Sequence, residues 1–510
     1  MLRRLCLSAF AILSLLATAQ AQEPEKSELH PCGTVGGASD WLREYLAAPP
    51  ASDRSEDTLW VAIRAHLLAK DNGSGRIAFD KFLNAFCQLN ADFAEAKIRF
   101  YLLDGWNLLD RTEYHDHGTI PKGIEMMLEN NVPNALNSYF GANVAGNCGY
   151  NLPYAGVAIA HGCANTGDHT WAHEVGHALM LPHPFIGWEG KQYSFAAPTP
   201  LWLTYDYTYF HDTLDTQVPA PLDTALVEFV NGSNCAIAAD RICDTPPDYL
   251  SYRWDCNSQG LSNVKQKDPN GEEFFSDGSL FMSYAADKCS NRFSPEEINV
   301  MRAALASKRA SWVAPQMLQE ALGNMPQPLE PVQDQIVPVQ GALFRWSATP
   351  NATHYLVQAS RFTNFSFKQV DLVTTDTFLF AGQLSPNIKY YWRIRPFNYW
   401  HACYPYTELA TFKTSTVNAN PEPDSDGWRF YPSLLSKGSS IQIEWPEPWT
   451  GAEATARIFD AAGRLMWETS MTVPNGRNAL QVPSAHWPAG VYRLVISSGK
   501  GIKQGSFFLG

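Results

Sequence analysis

His169-Thr170-Trp171-Ala172-His173-Glu174-Val175-Gly176-His177-Ala178-Leu179-Met180-Leu181-Pro182-His183-Pro184 is the stretch from which the rest of the chain is read. On a helix, residues four apart lie on one face at adjacent turns, so the rings of His173 and His177 project side by side and can share one zinc ion. Glu174 stands between them in sequence and off their line, placed to take a proton from a water that the metal activates rather than to bind the metal. His183 lies six positions past His177, about 240° round a continuing helix, and reaches the same metal only if the chain turns away after Leu179. Pro182 supplies the break, because it disfavours helical geometry at Leu181. With 13 histidines in 510 residues, chance produces this pattern in roughly 4 of 10,000 such chains. Three protein ligands leave the fourth position of tetrahedral zinc open, as catalytic sites do.

Outward from that stretch, length and composition bound the whole. A chain of 510 residues predicts about three or four domains. Hydrophobic residues at 45% and charged residues at 17% describe a globular chain rather than a disordered or coiled-coil one. A net charge of −13 repels phosphate backbones, which excludes nucleic acid as a partner. Arg3 and Arg4, an apolar run from Leu5 to Ala17 and the small-x-small Ala19-Gln20-Ala21 predict a signal peptide over 1–21. No later run is long and apolar enough to span a bilayer, so a mature form without a transmembrane segment is expected. Of ten cysteines, Cys6 leaves with the leader, and the odd remainder requires one that is unpaired or has another duty.

Residues 22–57 read as a propeptide, poor in large apolar residues except around Trp41-Leu42-Arg43-Glu44-Tyr45-Leu46. A mixed α/β domain is expected over 58–315. Its strands are read at Trp60-Val61-Ala62-Ile63 and Ile98-Arg99-Phe100-Tyr101-Leu102, and a helix with apolar spacing from Phe79 to Phe93. Ser294 caps a closing helix from Pro295, which has acidic residues in its first turn. Prolines 326, 328 and 331 mark one linker and Asn418 to Gly427 another. Two all-β sandwiches are expected, over 327–416 and 428–510.

The zinc stretch resembles the metzincin metallopeptidases, whose pattern is H-E-x-x-H-x-x-G-x-x-H followed by a methionine-containing turn. Here Met180 stands at the glycine place, which normally takes a left-handed conformation, so a side chain there costs about 1 to 2 kcal/mol. Within that group the pieces H-E-V-G-H-A-L, P-H-P-F at 182–185, Asp240 to Pro247, and Leu280 to Cys289 followed by Arg292-Phe293-Ser294 resemble the pappalysins. The resemblance spans about 58–312. It implies that Met282 forms the floor beneath the zinc and that Tyr284 stabilises the oxyanion. It implies a calcium site at Asp240, Thr245 and the Cys243 carbonyl, with a solvated acidic turn as the alternative. It also implies a Cys256–Cys289 disulfide; Cys235 has a counterpart too, and Cys243 could replace its usual partner. Some such zymogens carry a Cys-Gly switch, and Cys32 could fill the open zinc position until the propeptide leaves. Ordinary disulfide pairing of Cys32 is the alternative.

Leu384-Ser385-Pro386-Asn387-Ile388-Lys389-Tyr390 resembles the tyrosine corner of fibronectin type III domains, with Trp346 as the core tryptophan of an early strand. Phe459-Asp460-Ala461-Ala462-Gly463-Arg464 and Pro488-Ala489-Gly490-Val491-Tyr492 resemble the sorting domain of the type IX secretion system of Bacteroidetes. The expectation is therefore a multidomain chain, an α/β metzincin zinc-peptidase domain followed by two sandwiches. It would be exported through the periplasm to the surface and would cut protein or peptide substrates. The rival from another class is a surface adhesin on a repurposed peptidase fold, against which Glu174 argues, since binding alone has no use for a general base.

Overall fold

The computed structural model describes residues 26, 29–34, 37–49, 57–153, 155–206, 222–317, 319–338, 341–382, 384–415, 428–431, 434–445, 447–460, 463–488 and 490–509. The leader read at 1–21 and the linker read at 418–427 lie outside the described residues.

The N-terminal unit is organised by seven strands: β1 (Leu59–Ala69), β2 (Ile98–Asp110), β3 (Asp116–His117), β4 (Leu136–Gly141), β5 (Asn143–Val144), β6 (Gly149–Leu152) and β7 (Gly156–Ala160). The main sheet has the order β2-β1-β4-β7-β6. All its pairs are parallel except β6 against β7. Near-continuous burial along β1 is what a strand covered on both faces shows. Six α-helices accompany the sheet: α1 (Asp40–Ala47), α2 (Phe79–Asp92), α3 (Thr112–His115), α4 (Ile120–Asn130), α5 (Thr170–Ala178) and α6 (Pro295–Ala306). Helix α2 buries Phe82, Leu83, Phe86 and Leu89 at helical spacing, and Trp171 of α5 meets Phe140 edge-on with ring centres 4.8 Å apart. That packing seats α5 against β6 and β7. Helix α6 starts at a full capping box, Ser294 with Glu297.

Two sandwiches follow, each a three-stranded sheet on a five-stranded one. The first runs from Pro328–Glu330 to Ala410–Thr414, and the second from Arg429–Tyr431 to Gly501–Leu509. The proline-rich stretch read as a linker thus ends in a short strand, Pro328–Glu330, paired only along one side with Gly341–Trp346; the edge is where a strand tolerates proline. Tyr390 Oη accepts from Ser385 N at 2.9 Å, which closes the corner, and Trp346 is buried. In the last domain the D-x-x-G-R piece is a hairpin turn. Asp460 accepts from Arg464 N at 2.9 Å, and Gly463 takes a φ of 82° that glycine adopts at little cost.

The first sandwich is bolted to the N-terminal unit. Cys87 of α2 is disulfide-bonded to Cys403, Tyr101 stacks on Trp400 with centroids 3.9 Å apart, and Arg395 donates to Asn84 Oδ1 at 2.8 Å. The second sandwich rests on the first through Phe378, Phe380, Phe459 and Val495, with Arg457 paired to Asp376 at 2.9 Å.

The fold class expected from the sequence, an α/β metzincin domain ahead of two sandwiches, is corrected by this architecture. Among the described residues 27 strands face six α-helices, spread over eight sheets, and the chain is mostly β. Helical spacing around Phe79 and His173 yields short helices of 14 and 9 residues. Between α5 and α6, a passage punctuated by Pro, Gly, Asn and Asp, the described residues form turns and two-stranded pairs. No described helix is long and apolar enough to cross a membrane.

Candidate metal centre

Helix α5 projects His173 and His177 from one face, and it stops at Ala178. Met180 then takes the left-handed conformation with φ at 78°, the strained geometry that turns the chain off the helix and delivers His183 to the same point. The three Nε2 atoms converge: His173 to His183 is 3.2 Å, His177 to His173 3.1 Å and His177 to His183 3.0 Å. Cys32 Sγ completes the group 3.6 Å from His177 Nε2, and all four ligand atoms lie within 4.8 Å of one another. Tetrahedral zinc with ordinary bond lengths sets nitrogens about 3.3 Å apart and a nitrogen and sulfur about 3.6 Å apart, so this donor set fits the ion. Burial pushes His173 down to about 4 and His177 and His183 well below the usual imidazole range, which leaves the rings neutral, as ligands must be.

Glu174 is fully buried beside the group, and burial pushes its carboxyl up to about 8. Its Oε2 accepts from Thr34 Oγ1 at 2.8 Å, while Oε1 is buried without a hydrogen-bond partner. Two glycines make the room. A Cβ at Gly149 would stand 2.7 Å from Glu174 Cγ, and one at Gly176 would stand 2.5 Å from Met282 Sδ. Met282 therefore presses against the helix turn that carries both ligands. Tyr284, held protonated by burial, donates to the Cys32 carbonyl at 3.3 Å and stands edge-on to His183.

Residues 30–34 lie along the β6 edge. His30 N donates to Gly146 O at 3.0 Å, Cys148 N to His30 O at 2.7 Å and Gly33 N to Gly149 O at 2.8 Å. Lys26 bridges Asp168 and Asp287, 2.6 Å from each. Further on, Leu42 of α1 is fully buried in the core of the N-terminal unit. Cys32 is the free cysteine among the described residues. The others pair as Cys87–Cys403, Cys148–Cys163, Cys235–Cys243 and Cys256–Cys289.

The acidic loop is arranged differently from the metal group. Asp240 is buried, with Oδ1 accepting from Ile242 N and Oδ2 from Thr245 Oγ1, each at 2.9 Å. Cys243 has its sulfur in the disulfide and its N–H on Glu296, and Asp244 faces Ser294 and Glu296 at the α6 cap. The side chains of Asp240 and Thr245 thus meet directly, while the Cys243 side chain is taken up by its disulfide. Sequence reasoning passed over Thr34, Lys26 with Asp168 and Asp287, Glu189 behind His183, and Glu228 near Asp240. None of these carries a spacing signal; each becomes visible only through the chain's path.

No family model matches the chain, and no curated protein matches it. Several solved structures match parts of the chain. The FN3tt domain is 21% identical over 18% of this chain and 97% of its own, with a TM-score of 0.14. An immunoglobulin-like β-sandwich protein from Bacteroides vulgatus is 24% identical over 14% of this chain and 75% of its own, with a TM-score of 0.12. The chicken CNTN1 FN1–FN3 domains are 13% identical over 37% of this chain and 66% of theirs, with a TM-score of 0.16.

Proposed function

We propose that the chain is the latent form of an exported zinc endopeptidase, related to the pappalysins by its motifs. The observation that carries this reading is three neutral histidine nitrogens within 3.2 Å of one another beside the unpartnered Oε1 of a buried glutamate. Bound zinc would supply a Lewis acid and bring the pKa of a water towards 7. Glu174 Oε1 would be the group that takes a proton from that water and returns it to the leaving amine. Tyr284 holds a peptide carbonyl already, that of Cys32. The same hydroxyl donates to a substrate carbonyl as negative charge grows on it. Cys32 would supply the fourth ligand and Thr34 bonds the base, so the segment around residues 29–34 would keep the site closed until it is removed.

The leader and the last sandwich serve delivery, through the periplasm and then the type IX machinery, to the surface or medium. The D-x-x-G-R turn supports this part of the reading. A calcium ion in the Asp240 loop is supported by a concentration of buried acid: burial pushes Asp240 up to about 7, with Glu296 and Asp244 adding to the shift, and Glu228 up to about 9, with Asp240 adding to it.

Glu174→Gln tests the mechanism. The variant keeps zinc, and after removal of the N-terminal segment it should cleave a denatured protein at least 1,000-fold more slowly than the wild type. Chelator-sensitive cleavage at the wild-type rate would refute the assignment of the base. Absence of chelator-sensitive cleavage in the processed wild type across several substrates would favour the adhesin.

A further inference from the structure

The third histidine differs from the other two in what stands behind its ring. His173 and His177 aim Nδ1 at backbone carbonyls, Phe281 O at 2.8 Å and Leu181 O at 2.7 Å. His183 aims Nδ1 at a carboxylate, with Glu189 Oε1 3.9 Å away. The other oxygen of Glu189 accepts from Gly187 N at 2.7 Å, which fixes the carboxylate in place. Gly187 is at φ 93°, and a Cβ there would meet Ala225 Cβ at 2.8 Å, so the turn that brings Glu189 back to His183 requires glycine. The His183 ring is clamped as well, stacked on Phe185 at 14° with centroids 4.6 Å apart. The side chain of Glu189 is 14% exposed. Burying a carboxylate is costly unless a positive charge answers it. Burial pushes the Glu189 carboxyl up to about 7 against the pull of two backbone N–H groups and Lys191, and His183 Nδ1 lies 3.9 Å from Oε1.

We propose that Glu189 is a positioning residue for His183, holding the proton on Nδ1 and leaving the Nε2 lone pair for the metal. The inference rests on the reading of the three histidines as zinc ligands and adds to it a residue that no motif marks. At 3.9 Å the two groups are too far apart for a hydrogen bond, and the His183 ring is neutral, so the carboxyl acts on it only through its charge and position. Its effect is electrostatic: the carboxylate stabilises an imidazole that passes electron density to a dication, as carboxylates behind metal-bound histidines do.

The test uses the full chain and reads metal binding rather than turnover. Zinc affinity is measured by competition with a chromophoric chelator, for the wild type and for Glu189→Gln, Glu189→Ala and His183→Ala, together with the melting temperature of each metal-free protein. Glu189→Gln should weaken zinc binding about 10- to 100-fold and shift the visible spectrum of the cobalt-loaded protein. Its metal-free melting temperature should be unchanged or higher, because a buried charge has gone. Glu189→Asp should recover part of the affinity. The proposal is overturned if Glu189→Gln binds zinc as tightly as the wild type, or if it lowers the metal-free melting temperature, as a merely structural residue would. If Glu189→Ala does not fold, the isosteric Gln variant decides alone. If His183→Ala also leaves zinc affinity unchanged, the ligand assignment has failed instead.

Discussion

Replacing Cys32 by alanine in the full chain removes one of four donors and leaves the rest of the N-terminal segment in place. Structural zinc sites gain about 10 to 16 kcal/mol from four ligands, so one thiolate is worth roughly 3 kcal/mol. What remains is the Thr34–Glu174 contact, about 1.5 to 3 kcal/mol for a hydrogen bond to a charged group, and three backbone bonds at about 1 kcal/mol each. Lys26 adds its bridge to Asp168 and Asp287. Cys32→Ala should therefore raise the open population by roughly two orders of magnitude without abolishing closure. The zinc-loaded, uncut full chain, checked by mass spectrometry, would be assayed on a quenched fluorescent protein with a chelator blank. The expected result is about 100-fold more cleavage than the uncut wild type, still below the processed enzyme, and a further rise in the double variant with Thr34→Ala. If uncut Cys32→Ala stays as silent as the wild type while the processed wild type cuts, the thiol is not the latch. The backbone pairing along β6 would then carry latency by itself.

The Cys87–Cys403 bridge closes a span of 316 residues, so the double Cys→Ser variant should lose up to about 5 kcal/mol, read as a lower urea midpoint with the two parts melting separately. His66 is pushed down to about 4 by burial, from an ordinary 6.5. The unfolded chain therefore binds the extra proton first, and stability is full above pH 6.5 and falls by about 3 kcal/mol towards pH 4; His66→Gln should flatten that slope in urea titrations. Asp240 and Glu228 are pushed up to about 7 and about 9, so their burial costs stability as pH rises from the ordinary carboxylate range. Calcium should then raise the melting temperature more at pH 8 than at pH 5, and Asp240→Asn should erase the difference. Deleting 428–510 should leave chelator-sensitive activity of purified protein intact and strand the chain in the periplasm of its host. Normal surface delivery of the truncated chain would end the sorting reading.

What was legible in the sequence was local. The spacing of His173 and His177, the glutamate between them and the break at Pro182 are fixed within a few residues by helical geometry. So are the Ser294 cap, the Tyr390 corner and the Asp460 turn, because each forms from groups already neighbours along the chain. Fold class was not of this kind. The apolar spacing around Phe79 and His173 is helical, but nothing local in the passage from Leu181 to Phe293 states how its turns pair, and the balance of strand over helix among the described residues is a property of the whole chain. Cys32 was named from its Cys-Gly pair, but where it and the site's other members meet was decided by tertiary structure alone. Cys32 meets His177 across 145 positions, Thr34 meets Glu174 across 140, and Cys87 meets Cys403 across 316. Glu189 stands only six residues from His183, yet it faces that ring because Gly187 adopts a positive φ and Phe185 clamps the imidazole. Such contacts depend on where the backbone travels between the partners, and that path is set by packing of the whole core rather than by any one segment's preferences.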